Sequence, residues 1–247
     1  MKLPFETDAG TGTRATLGLI VLQADETIEP EMARMTALDG VSLYHSRIQM
    51  AAEINPETLA SMLAGIPGST SLLPDIDFDV IGYACTSGAT VIGPENVARA
   101  VQSARPSAKV TDPVSATIAA LRHLGAKRIG FVTPYVAEVS AAMRGLLERE
   151  GFEIAGFASF EEGDDRVVSR IAPASITQAI KDVHSQADCD AVFVSCTSLR
   201  VLGVVGEAEA AIGRSVISSN IALGWHMLTL AGIQTTGAAP GRLFNRS

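Results

Sequence analysis

Basic clusters, long apolar runs, cysteines and nucleotide-binding glycine motifs are scarce or missing in this sequence, and each absence removes a class of function. Nineteen Lys and Arg residues stand against 27 Asp and Glu, a net charge of −8. No basic patch breaks that balance, which excludes the footprint that nucleic acid or an anionic membrane surface requires. Mean hydropathy is positive, +0.26, yet the longest strongly apolar segment, residues 221–233, contains His226 and is too short to span a bilayer. The first residues carry Glu6, Asp8 and polar turns in place of an apolar signal segment, so a cytoplasmic protein is expected. Three cysteines in a chain of 247 residues are not a disulfide framework. His45, His123, His184 and His226 show no metal-ligand spacing, and neither a GxGxxG nor a P-loop pattern occurs. The expectation is an enzyme or binding protein for a small molecule, with no cofactor, no metal, and neither nucleic acid nor membrane as partner.

What is present is a repeat. Residues 77–87 and 188–198 both read Asp-x-Asp, then an apolar run of strand length, then Cys-Thr-Ser, at a constant offset, since 188 − 77 = 111 and 196 − 85 = 111. Buried strands resemble one another in their apolar residues, but not in paired aspartates and a terminal Cys-Thr-Ser. A second match extends the repeat, residues 18–23 answering 130–135 at an offset of 112.

Between these landmarks strand and helix patterns alternate. The first half predicts strands over 17–22, 41–44, 78–84 and 108–111, with helices over 29–38, from Asn55 to about Leu73, and from Pro94 through Ser103. The second predicts helices over 114–124, 136–150, 173–185 and 200–211, strands over 128–133, 154–160, 191–195 and 215–217, and a final apolar helix over 221–231. Such alternation implies βαβ units with parallel sheets. The predicted fold is α/β: two similar lobes, each a mainly parallel sheet flanked by helices, related by a pseudo-twofold with a site in the cleft between them. The expected division is 14–112, completed by 217–247, for one lobe and 113–216 for the other.

Ligands of open parallel sheets bind beyond the carboxyl ends of the strands, where Cys85 and Cys196 stand. A strand-to-helix junction lowers a thiol's pKa because helix N-terminal N–H groups favour the thiolate. Thr86, Ser87, Thr197 and Ser198 add hydroxyl donors suited to a carboxylate. Two thiols on opposite faces of a bound carbon can remove a proton from one side and supply one from the other, or one thiolate can add to a double bond and let it rotate. Cys189, at the opposite end of its strand, is read as packing.

At these residues the chain resembles the aspartate/glutamate racemase superfamily, and within it the branch of maleate cis-trans isomerase, arylmalonate decarboxylase and the ectoine-utilisation racemase-like proteins. The resemblance runs from about Thr16 to Asn245. It implies that Cys85 and Cys196 are the catalytic cysteines, that Thr86, Ser87 and Thr197 bind a substrate carboxylate, and that Tyr135 hydrogen-bonds that carboxylate. Arylmalonate decarboxylase carries glycine in place of the first cysteine, so Cys85 favours isomerisation or racemisation over decarboxylation.

Two departures bear on substrate. Asp25 stands where maleate isomerases have a substrate-binding asparagine, and Asp165 takes the place of a second one in a looser alignment. A carboxylate there repels a second carboxylate and attracts an ammonium group. This favours an amino acid or an N-acylated derivative over maleate. The competing role for Asp25 is to cap the helix over 29–38. Gln23, Tyr83 and Leu199 are expected to shape the pocket. Arg47 is read as a surface ion pair before an anion site, and Asn220 with Ser219 as the cap of the last helix. The leading expectation is a cofactor-independent racemase or isomerase of a small carboxylic acid, the alternative maleate cis-trans isomerisation by cysteine addition, the third a decarboxylase. From another class, a non-catalytic small-molecule binding protein has the same outline. The apolar last helix leaves room for a homodimer or a higher homo-oligomer.

Overall fold

The computed structural model describes residues 1–51 and 55–245. Its order is β1 (Ala15–Leu22), α1 (Ile28–Met35), β2 (Val41–Ile48), α2 (Pro56–Ser61), a 3-10 turn (Met62–Gly65), α3 (Ile66–Ser71), β3 (Val80–Ala84), α4 (Thr86–Ile92), α5 (Pro94–Gln102) and β4 (Lys109–Thr111). It continues with α6 (Pro113–Leu124), β5 (Arg128–Thr133), α7 (Ala137–Arg149), β6 (Glu153–Ser159), α8 (Asp165–Val168), α9 (Pro173–Gln186), β7 (Ala191–Val194), α10 (Val205–Ile212), β8 (Ser215–Ser218), α11 (Ser219–Leu230) and a 3-10 turn (Arg242–Asn245).

The strands form two four-stranded sheets, ordered β2-β1-β3-β4 and β6-β5-β7-β8. Every pairing is parallel. The repeat is therefore topological as well as sequential. Its acidic lead-in has a local cause: the second aspartate of each copy reaches the first strand of its sheet, Asp79 accepting from Thr16 N–H at 2.8 Å and Asp190 from Lys127 and Arg128 N–H at 2.8 Å each. Those carboxylates satisfy strand-end donors that lack a sheet partner. Both central apolar runs, β3 and β7, are buried throughout, as parallel strands covered on two faces require. Phe131 and Phe193 stack with centroids 5.6 Å apart across β5 and β7, and Leu17, Leu19, Val21 and Ile81 pack the first sheet. Each such side chain stabilises the fold by about 1.5–3 kcal/mol through burial.

Four local expectations need correction. The helix expected over 55–73 is broken into α2, a 3-10 turn and α3, because Pro67 has no N–H to donate and is confined to the first turn of a new helix. Helix α4, directly after Cys85, was not expected; Gly88 and the β-branched Thr90 and Val91 hide a short helix that is held by burial. The helix expected from Arg200 begins only at Val205, so residues 197–204 are turns and irregular chain. Strand β2 runs to Ile48, placing His45, Ser46 and Arg47 within the strand instead of beyond it. No described helix is long and apolar enough to cross a membrane.

Candidate active site

The carboxyl ends of β3 and β7 deliver the two Cys-Thr-Ser stretches to one nearly closed cavity. Its wall contains Cys85, Thr86 and Ser87 from the first half and Tyr135, Asp165, Cys196 and Thr197 from the second, closed by Leu22, Met50, Leu59 and Met62. The enclosed volume is about 20 Å³, roughly room for one water, so an organic acid enters only when part of the wall moves. Met50 and Asp165 also border a wider outer cleft of about 380 Å³, which Asp164, Arg166 and Gln23 share.

Cys85 is the N-cap of α4. Its Sγ accepts from Gly88 N–H at 3.2 Å and lies 3.7 Å from Ser87 Oγ. Burial pushes the thiol up to about 11, against the opposing pull of Gly88 N–H and the Ser87 hydroxyl. The helix terminus thus favours the thiolate as expected, but in the closed cavity desolvation outweighs it.

Cys196 has no helix after it. Its φ is +103°, a conformation that costs a non-glycine residue of order 1–3 kcal/mol. Burial and then the Asp165 carboxylate push its thiol higher than that of Cys85, while the Tyr135 hydroxyl and Ser198 N–H pull the other way. Ser219 ties the two stretches together: its Oγ accepts from Thr86 Oγ1 at 2.8 Å and from Cys196 N–H at 3.0 Å.

Of the residues expected at the site, Asp25, Ser198, Gln23, Tyr83 and Leu199 are not in the cavity wall; Gln23 borders the outer cleft, Leu199 is buried, and Tyr83 is buried behind Cys85, its hydroxyl bonded to the thiol. Asp25 is buried and its Oδ1 accepts from Thr27 and Ile28 N–H at 2.7 and 2.8 Å, the N-cap and first residue of α1, so one oxygen braces the start of that helix. Burial raises its pKa, against the opposing pull of Ile28 N–H, the hydroxyl of the wall residue Thr197 and Thr27 N–H. Ser198 Oγ reaches Asp165 Oδ1 at 3.5 Å, and burial, reinforced by the charge of Asp25, raises Asp165 to about 6. Arg47 pairs with Glu29 and donates to the carbonyls of Leu22, Gln23 and Asp25, bracing the β1–α1 loop. Cys189 is buried away from the cavity, 3.4 Å from His184 Nδ1.

The helix cap expected of Asn220 and Ser219 belongs to Ser218, whose Oγ accepts from Ile221 N–H. Asn220 and Glu31 instead sit behind the Cys196 loop. Glu31 went unrecognised because its spacing is that of an ordinary helix residue; its burial depends on segments distant in sequence. The apolar wall of Leu22, Met50, Leu59 and Met62 was likewise unmarked by any motif. Among the described residues no group of three or more His, Cys, Asp and Glu side chains is arranged to hold a metal.

Two thiols in one buried cavity, each with hydroxyls and N–H groups beside it, define a cysteine-dependent enzyme on a doubled parallel α/β frame. The chain belongs to the family of arylmalonate decarboxylase and maleate isomerase, the arylmalonate decarboxylase family model matching residues 17–244. It is 28% identical over 240 residues to maleate isomerase from Nocardia farcinica, covering 93% of this chain and 95% of that one. The corresponding values for maleate isomerase from Pseudomonas putida are 25% over 241 residues, 93% and 96%. A structure of Nocardia farcinica maleate cis-trans isomerase, a cysteine-to-serine variant with a covalently bound succinylcysteine intermediate, superimposes with a TM-score of 0.85 at 27% identity, covering 94% of this chain and 99% of that one.

Proposed function

We propose that the protein is a cofactor-independent cis-trans isomerase of a small unsaturated dicarboxylic acid such as maleate, with Cys85 as nucleophile and Cys196 as acid and base. The observation that carries this reading is the pair of thiols in one closed cavity with unequal surroundings. Cys85, at a helix N-terminus, ionises first; Cys196, beside the Asp165 carboxylate, holds its proton. The Cys85 thiolate adds to one olefinic carbon, forming an S–C bond, and the π pair moves to the other carbon, which takes the Cys196 proton. The central bond, now single, rotates. Cys196 thiolate then removes a proton from the carbon that received one, the pair re-forms the double bond, and the S–C bond breaks to release Cys85. Thr86, Ser87, Thr197 and Tyr135 hold the carboxylates. The covalent succinylcysteine of the Nocardia relative supports an addition mechanism for this fold.

Maleate is preferred here to an amine-bearing substrate because Asp25 commits its Oδ1 to Thr27 and Ile28 N–H and lies behind Thr197, outside the cavity wall. Asp165 keeps the racemase reading alive: a buried carboxyl in the wall, opening on an outer cleft with Asp164, suits a substrate ammonium group. Incubation with maleate, followed by fumarate formation and by intact mass, tests the first reading. Turnover of maleate, with a maleate-sized mass gain accumulating on Cys85 in Cys196→Ser, supports addition. No turnover of maleate, together with α-proton exchange of an amino acid in deuterated water, would move the assignment to racemisation.

A further inference from the structure

The second Cys-Thr-Ser stretch poses a mechanical problem that the first does not. Cys85-Thr86-Ser87 opens a helix whose own hydrogen bonds fix it; Cys196-Thr197-Ser198 runs into turns, with a strained φ at the thiol-bearing residue itself. Something else must hold it.

Its carbonyls and N–H groups are held by side chains from α1 and α11. Asn220 Nδ2 donates to Thr197 O at 2.8 Å and to Glu31 Oε2 at 2.9 Å. Glu31 Oε1 accepts from Leu202 N–H at 2.9 Å. Thr27 Oγ1 donates to Ser198 O at 2.9 Å, and Ser219 Oγ accepts from Cys196 N–H. The orientation of the Asn220 amide is fixed chemically, since the Thr197 carbonyl beside its nitrogen can only accept. Its Oδ1 is then left buried without a partner. Glu31 itself is 7% exposed, a carboxyl that desolvation, the first cause, raises to about 7. An unpartnered buried oxygen and a buried acid both cost stability. Neither is needed to close a helix or a sheet, and both serve the same loop.

We infer that Glu31 and Asn220 are positioning residues that hold the Cys196-Thr197-Ser198 loop, and with it the second thiol, in the geometry turnover requires. The consequence of altering the pair follows from donor and acceptor bookkeeping. Glu31 faces two donors, so Glu31→Gln offers one acceptor for both. Its amide nitrogen then opposes either Leu202 N–H or Asn220 Nδ2, and in the second case Asn220 must flip, which withdraws Nδ2 from Thr197 O. Asn220→Ala removes the Thr197 contact directly and leaves Glu31 with Leu202.

The inference rests on Cys196 taking part in turnover, but its test does not depend on substrate. Alkylation by iodoacetamide, quantified peptide by peptide, reads Cys85 and Cys196 separately in the intact protein, with thermal unfolding as the check on folding. The expected result for Glu31→Gln and for Asn220→Ala is Cys196 labelling about fivefold faster, with Cys85 labelling within about twofold of the parent. With maleate as substrate, kcat falls about tenfold with KM little changed. Equal acceleration at both cysteines would make the pair a general structural support and overturn the inference; unchanged labelling at both would overturn it too. If the parent does not turn over maleate, the proposed reaction fails while the labelling ratio still decides the positioning role. Should Glu31→Gln not fold, Asn220→Ala and Thr27→Val carry the same comparison, each removing one carbonyl contact of the loop.

Discussion

The two Cys-Thr-Ser stretches share a sequence, a strand position and an aspartate lead-in, yet they are held by opposite means. Cys85 is fixed locally: its own helix caps on it and Gly88, three residues on, donates to its sulfur. Cys196 is fixed from afar, by Thr27, Ser219 and Asn220, all distant in sequence. Duplication accounts for the two sheets, whereas the site depends on where the copies diverge. A thiol at a helix N-terminus releases its proton more readily than one beside a buried carboxyl. Unequal halves therefore permit a division of labour that two identical ones would not.

The largest test of that division is the pair of serine variants. Cys85→Ser and Cys196→Ser are each expected to reduce turnover by about a thousandfold or more, with folded circular dichroism retained. They should differ in one respect: the covalent adduct forms in Cys196→Ser and is absent in Cys85→Ser, as read by intact mass. An adduct in both would erase the asymmetry. Next in size is Gly88→Ala. A Cβ at this position would lie 2.8 Å from Cys85 Sγ and 2.8 Å from Tyr83 Oη, too close for either to stay. Helix α4 itself tolerates alanine, so turnover is expected to fall on the order of 10–100-fold through displacement of one sulfur. Alkylation of Cys196 should be unaffected, and a parallel change at Cys196 would mean that the two halves are mechanically coupled.

Much of this frame was legible in the sequence because it is written in local patterns. The strand over 128–133 is reproduced residue for residue as β5, and the constant offset of 111 announced two sheets of the same order. Both cysteines, Thr86, Ser87, Tyr135, Thr197 and Asp165 meet in one wall. What escaped was non-local. Helix α4, seven residues with Gly88 and the β-branched Thr90 and Val91, is too short and too weak in propensity to declare itself, and it was needed to separate Cys85 from Cys196. Glu31 reads as one acidic residue in the first turn of an amphipathic helix, and only tertiary packing buries it against Leu202 and Asn220. Asp25 was legible as either a cap or a site residue, and it does something of each: Oδ1 takes two N–H groups at the start of α1 while the carboxylate also meets the Thr197 hydroxyl behind the wall.

Asp165 sharpens the electrostatic side of the comparison. Its carboxyl, raised from 3.8 to about 6 by burial first and by Asp25 second, is charged above about pH 6, and that charge holds the Cys196 proton. Asp165→Asn should therefore speed Cys196 alkylation about fivefold at pH 8, and leave it unchanged near pH 5, where the parent carboxyl is already neutral. Stability gives a second reading with a definite sign. The folded pKa exceeds the unfolded one, so the fold binds more protons between about pH 4 and 6, and parent stability declines as pH rises through that window. The decline from this group is about 2 kcal/mol, allowing for its partial solvent contact. Urea unfolding at pH 4 and pH 7 should show a smaller difference in Asp165→Asn; an equal one would place the titration elsewhere.

The smallest effect probes the backbone. At Cys196, φ of +103° favours glycine, whereas the extended φ of −145° at Cys85 does not. Replacing each thiol by glycine and by alanine separates loss of the side chain from relief of the backbone. At position 85, glycine is expected to be less stable than alanine by about 0.5–1 kcal/mol, the ordinary entropic cost. At position 196 the order should invert, with Cys196→Gly more stable than Cys196→Ala by about 1 kcal/mol because the left-handed conformation no longer carries a Cβ penalty. Thermal unfolding of the four variants measures both differences under one condition. The same sign at both positions would mean that the Cys196 loop relaxes out of its strained conformation once the sulfur is gone, and that the thiol, more than the surrounding clamp, sets that geometry.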